Sequence, residues 1–164
     1  MIARSLFVVV ALLACSSGKS DSNKTAQSSD SSFAKLQQRG ATVMGVDQYT
    51  SQHVFEPLPN GGRIVLQRKE ADSAGEAVIR EHMRTIARAF AAGDFTLPGV
   101  VHAMNDVPGT QQMRALHDDI TYTPKDLPRG GEVIIATSNP MAIAAVHDFL
   151  AFQRMDHRAG MHME

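Results

Sequence analysis

Five histidines sit in stretches whose apolar patterning reads as structured: His53, His82, His102, His147 and His157. Imidazole nitrogens ligate copper and zinc, and thioethers add a soft partner for copper. The chain holds seven His and nine Met, so both donor types are plentiful. His147 and His157 are ten residues apart in one apolar-rich run. On a straight helix that is ~15 Å along the axis, whereas a ligating nitrogen lies ~2 Å from its metal. One ion cannot join them, so a site needs other elements. His82 and His147 each border the apolar stripe of a predicted helix, and two helices on one sheet face bring such borders together. His102, on a long connection, or His53, on a predicted strand, then supplies a third ligand. His157 is left to join Met161, His162 and Met163, a tail pattern that suits Cu(I). Against the metal stands an ordinary reading, in which these histidines cap core edges and bond to backbone. No His-x-x-x-His pair marks a helical ligand pair.

Other chemistries find less support. There is no Gly-x-Ser-x-Gly, no phosphate loop and no dinucleotide fingerprint. His147 and Asp148 are neighbours on a helix and point ~100° apart, so they are not a base and its orienter. No catalytic residue is assigned. A net charge of −1 and the absence of Trp argue against nucleic acid as a partner.

The elements that must position the histidines form two similar units. Pro59-Asn60-Gly61-Gly62-Arg63-Ile64 matches Pro128-Arg129-Gly130-Gly131-Glu132-Val133, and each is followed by an apolar strand and a long helix. Asn60-Gly61 and the Gly-Gly pairs read as hairpin turns. Ser73 with Glu76 forms a capping box for a helix whose stripe is Ile79, Met83, Ile86 and Phe90, stopped by Gly93. Asn139 caps the last helix and Pro140 takes its first position. Its stripe is Ala142, Val146, Phe149, Leu150 and Gln153, with Asp148 opposite. Ile120-Thr121-Tyr122-Thr123 alternates like a strand, and Pro124 marks either an edge or the strand's end. Ala41-Thr42-Val43-Met44 reads as a short strand, residues 94–109 as an irregular connection, and Thr110 as the cap of a short helix. The fold class is therefore α+β: two β-β-α units forming a mostly antiparallel four-stranded sheet, with two long helices on one face.

The N-terminal region is an address. Arg4 precedes an apolar run that is too short to span a bilayer but suits a signal-peptide core. The run ends Leu12-Leu13-Ala14-Cys15, which resembles the bacterial lipobox, and Cys15 is the only cysteine. The resemblance implies cleavage before Cys15 and its acylation, each buried CH₂ adding ~0.8 kcal/mol of membrane affinity. The expected organisation is a signal peptide over residues 1–14, an anchored disordered tether over 15–40, one domain over 41–158, and a flexible Met/His tail over 159–164. Ser16 after the cysteine resembles the sorting pattern for the outer membrane, periplasmic side, in a Gram-negative host.

Met44-Gly45-Val46-Asp47-Gln48, His53-Val54-Phe55, Gly93-Asp94-Phe95, Val101-His102, Val107-Pro108-Gly109 and the run from Ala145-Val146-His147 to Met155-Asp156-His157 resemble a small exported bacterial family of unknown function. Such sequences sometimes carry an aspartate carbamoyltransferase label. Those enzymes use a Ser-Thr-Arg-Thr loop and two α/β domains, and this chain has neither the loop nor the length. The resemblance therefore brings no reaction. Two functions stay open: an envelope lipoprotein binding copper or zinc through histidines, or a lipid-anchored structural or interaction module with an envelope protein as partner. Converging histidines favour the first, and a large exposed apolar patch the second.

Overall fold

A computed structural model describes residues 20–45 and 47–159. Cys15 and the segment Met161-His162-Met163 lie outside the described residues. The elements run α1 (Ser20–Met44), β1 (Ser51–Leu58), β2 (Gly61–Arg68), α2 (Ser73–Ala91), α3 (Thr96–His102), α4 (Thr110–Ala115), β3 (Thr121–Leu127), β4 (Gly130–Ala136) and α5 (Pro140–Asp156). The strands form one antiparallel sheet in the order β1-β2-β4-β3, so the two β-β-α units meet at β2 and β4. Both edge strands contain a proline, Pro57 and Pro124, which blunts further pairing.

The apolar alternation of the central strands fixes which face is covered. Ile64 and Leu66 of β2 lie with Val133 and Ile135 of β4 in the core, all nearly inaccessible. Burial of each such side chain is worth roughly 1.5–3 kcal/mol. The helices are exchanged between units: α2 packs on β3 and β4, and α5 on β1 and β2. Arg80 of α2 donates to the carbonyls of Gly130 and Leu127, and Arg84 pairs with Asp126. On the other side Arg154 of α5 donates to the Phe55 carbonyl.

The Gly-Gly pairs open strands β2 and β4 and are not the turns themselves. The two-residue loops are Pro59-Asn60 and Pro128-Arg129, with Arg129 at φ 61°. The first glycine of each pair faces neighbouring backbone. A Cβ on Gly61 would stand 2.2 Å from the Ile135 carbonyl oxygen, and one on Gly130 would stand 2.1 Å from that of Leu66. The second glycine admits a helix. A Cβ on Gly62 would strike Leu150 of α5, and one on Gly131 would crowd Met83 of α2. Gly62 and Gly131 thus place both long helices on the same sheet face. Gly130→Ala is expected to cost on the order of 3 kcal/mol, because backbone and not a mobile side chain must yield. Urea unfolding measures it, and a midpoint equal to wild type would contradict this packing.

Several local expectations change. The expected strand Ala41-Thr42-Val43-Met44 is the last turn of α1. Leu36, Gly40 and Met44 recur at helical spacing and are buried, so a helical period overrides the β-branched pair Thr42-Val43. The same helix runs back to Ser20, through the stretch expected to be a disordered tether, and Leu36 makes it part of the core. Once a buried turn nucleates a helix, adding polar residues costs little. The cap of α2 is Asp72 and not Ser73: its Oδ1 accepts from the Gly75 N–H while Glu76 Oε1 accepts from the Asp72 N–H. The connection 94–109 contains α3, closed by Ala103 in the left-handed conformation. Gly109, not Thr110, is the N-cap of α4, and the Thr110 hydroxyl donates to the Val107 carbonyl. Asn139 caps α5 as expected, accepting from Met141 N–H, and Gly93 closes α2 at φ 72°.

Candidate functional site

Above the sheet, between α1, α2, α3 and α5, lies a cavity of about 70 Å³. Its polar lining among the described residues consists of four imidazoles, His53, His82, His102 and His157, and the carboxamide of Gln153. The rest is apolar, with Met44, Phe55, Met83, Phe90 and Phe149 among the walls. Each histidine comes from a different place in the chain: β1, α2, the end of α3, and the residue that closes α5.

The placement follows from the direction of α5. It runs antiparallel to β1, so His147 lies by Leu58, Arg154 by Phe55, and His157 by His53. Ten helical residues cover ~15 Å, close to the ~17 Å that β1 covers from Leu58 to His53 at ~3.3 Å per residue. His147 is therefore at the far end of the strand, with Nε2 2.9 Å from the Leu58 carbonyl oxygen. It does not meet His82, and it is not in the cavity. His157, expected to join the tail, takes its place. The two histidines are indeed too far apart to share an ion, and the direction of the helix decides which of them reaches the cavity.

The ring centroids of His53 and His157 are 5.1 Å apart, and those of His102 and His157 also 5.1 Å. Two imidazoles on one tetrahedral ion, with metal–nitrogen bonds of ~2.0–2.1 Å, have centroids roughly 5 Å apart. Among the described residues, no three His, Cys, Asp or Glu side chains already stand in metal-holding positions. The spacing of His157 to His53 and to His102 fits a shared ion pair by pair, while the present rotations do not aim three nitrogens at one point.

His102 is the most constrained of the four. Its Nδ1 is 2.5 Å from Asp156 Oδ2 and its Nε2 3.0 Å from Gln153 Oε1. Gln153 and Asp156 are three residues apart on α5, so they share one helix border. Gln153 is 5% exposed, and its Nε2 has no hydrogen-bond partner. A neutral His102 donating to Asp156 would instead accept from the amide, and the amide oxygen would then face the cavity. Either way one terminal atom of Gln153 is left for something in the cavity. A carboxylate behind an imidazole orients a ligating histidine, and it also orients a general base. Among the described residues, no Ser, Thr or Cys lines this cavity to act as a nucleophile.

Burial keeps three of the rings neutral. It lowers His53 to about 3, helped by nearby His82, and lowers His82 to about 4. His157 is lowered to about 2, first by burial and then by His53 and His102, with Asp156 acting the other way. A neutral imidazole has the free lone pair that a metal needs.

Gln153, Asp156, Met44 and Met83 belong to this site, and sequence reasoning did not nominate them. Gln153 carried a signal, being the one polar member of the α5 stripe. The large exposed apolar side chains are Tyr49, Val54, Val78, Val100 and Met104, with Met141 and Met155 at opposite ends of α5. No helix among the described residues is long and apolar enough to cross a membrane. The fold and site define a two-layer α+β domain around a histidine-lined cavity. No protein-family model, curated protein or solved structure matches the chain.

Proposed function

We propose that this chain is an exported lipoprotein of the bacterial cell envelope whose domain binds a copper or zinc ion in the histidine cavity. The observation that carries the reading is His157, whose ring stands at ligand-like spacing from both His53 and His102, in a cavity that His82 also lines. His102, oriented by Asp156, supplies Nε2 once Gln153 releases it. His53 and His157 reach the ion by rotation about their side-chain torsions, and His82 lines the same cavity. Cys15 ends the apolar leader, and its acyl chains hold the protein to the membrane, with the outer membrane as the destination in a Gram-negative host. The tail Met161-His162-Met163 is a second, weaker locus for Cu(I).

One set of preparations tests both halves. Wild type, Cys15→Ser, and the double variant His102→Ala/His157→Ala are expressed as full chains, fractionated and analysed for metal, each also without residues 160–164. Wild type is expected in the membrane fraction with one equivalent of metal. Cys15→Ser should lose acylation and keep the metal. The double variant should stay anchored and bind at least 100-fold more weakly. Equal metal content in the double variant and wild type would remove the cavity site, and equal attachment of Cys15→Ser would remove the anchor.

A further inference from the structure

We infer that the cavity selects a monovalent soft cation, Cu(I), over Zn²⁺ and Cu²⁺, and that Met44 and Met83 provide the selectivity. This rests on the metal-site reading above and names its ion.

The first observation is the charge of the lining. Among the described residues, every polar group at the cavity wall is neutral or can be: four imidazoles and one carboxamide, with no carboxylate and no thiolate. Asp156 stands behind His102, 2.5 Å from its far nitrogen, and does not line the cavity. The cost of moving an ion from water into such surroundings rises with the square of its charge, so a divalent ion loses about four times the solvation of a monovalent one. Zinc and Cu²⁺ sites meet that cost with anionic ligands or retained water. In this cavity the walls are Phe55, Phe90 and Phe149, and a lining of neutral donors favours a singly charged ion over a doubly charged one.

The second observation is the methionines. Met44, at the end of α1, and Met83, on α2, both line this cavity and are nearly inaccessible, at 6% and 2% exposed. They approach it from different helices, so the histidines of β1, α3 and α5 share the cavity with two thioethers. Thioether sulfur is a good donor to Cu(I) and a poor one to Zn²⁺. Cu(I) also accepts low and irregular coordination, which suits a cavity whose rings must rotate to reach the ion.

The test uses the full chain in detergent, carrying Cys15→Ser, Met161→Ala, His162→Ala and Met163→Ala so that neither the thiol nor the tail competes. Cu(I) under ascorbate and Ag⁺ as its redox-inert stand-in are titrated against a chromophoric chelator, beside Zn²⁺ and Cu²⁺. The expected result is one equivalent of Cu(I) or Ag⁺, bound at least 100-fold more tightly than Zn²⁺. X-ray absorption of the copper form should show sulfur together with nitrogen. Met44→Leu/Met83→Leu, a swap that preserves volume, should weaken Cu(I) at least tenfold and erase the sulfur signal, with the thermal midpoint near wild type. Zn²⁺ bound as tightly as Cu(I) and lost with His102→Ala would overturn this inference and leave the metal site standing. Cu(I) bound without sulfur, or unchanged in the double leucine variant, would also overturn it. No ion bound at all would remove both readings.

Discussion

Val146→Asp is expected to leave the domain unfolded at room temperature, while Asp148→Ala keeps a thermal midpoint within a degree or two of wild type. The two positions are two residues apart on α5, and the helical period alone separates them. Val146 is fully buried, and its Cγ1 stands against the space that Gly62 leaves in β2. Asp148 is exposed on the opposite side. An ionised carboxylate at position 146 would have no partner in the core formed with Leu150, Phe149 and Ile64. Such a group costs several kcal/mol, against a total stability of about 5–15 kcal/mol for a domain of this kind. Far-UV circular dichroism with heat and urea melts distinguishes the two. Similar melts for both variants would mean that α5 is rotated, with Val146 turned away from the sheet. The position of His157 beside His53 depends on the same orientation, so this variant also tests the frame of the site.

The architecture was legible because its signals are local and repeated. The matched Gly-Gly motifs, the apolar strands after them and the capped helices each announced one element, and two such units can pair into a four-stranded sheet in few ways. Expectations failed where two local signals competed. Thr42 and Val43 favoured a strand by residue type, and only the longer spacing of Leu36, Gly40 and Met44 revealed the helix. Ser73 and Asp72 are both good caps, and one residue of chain path decides between them. The site was half legible for a different reason. His53, His82 and His102 could be nominated because each borders a structured segment. The choice between His147 and His157 depended on which way α5 runs across β1. That is a property of the exchanged helix packing, and no window of sequence contains it. Asp156 was hidden for the same reason, since its role exists only once α3 brings His102 against α5.

Acid is expected to destabilise the domain over a window set by its buried histidines. In the unfolded chain an imidazole gains its proton near pH ~6.5. In the folded chain His82 resists until about 4, His53 until about 3 and His157 until about 2. Below that unfolded-chain value the unfolded state therefore holds more protons, and stability falls as pH falls; above it the three groups contribute a constant amount. Each ring kept neutral is worth up to ~1.4 kcal/mol per pH unit. All three retain some contact with solvent through the cavity, which reduces that limit. A loss on the order of 3 kcal/mol between about pH 7 and pH 5 is the discounted expectation. Urea unfolding at the two pH values, in a chelator so that metal release adds nothing, measures it. His157→Phe supplies the control. An apolar ring fits between His53, Phe55 and His102, where the His157 ring now packs. The variant should match or exceed wild-type stability at about pH 5 and show a pH slope reduced by about a third, since one of three neutral imidazoles is gone. Stability that does not change between the two pH values would show that these rings are open to protons in the folded state. An unchanged slope in His157→Phe would show that His157 is not among the groups that create it.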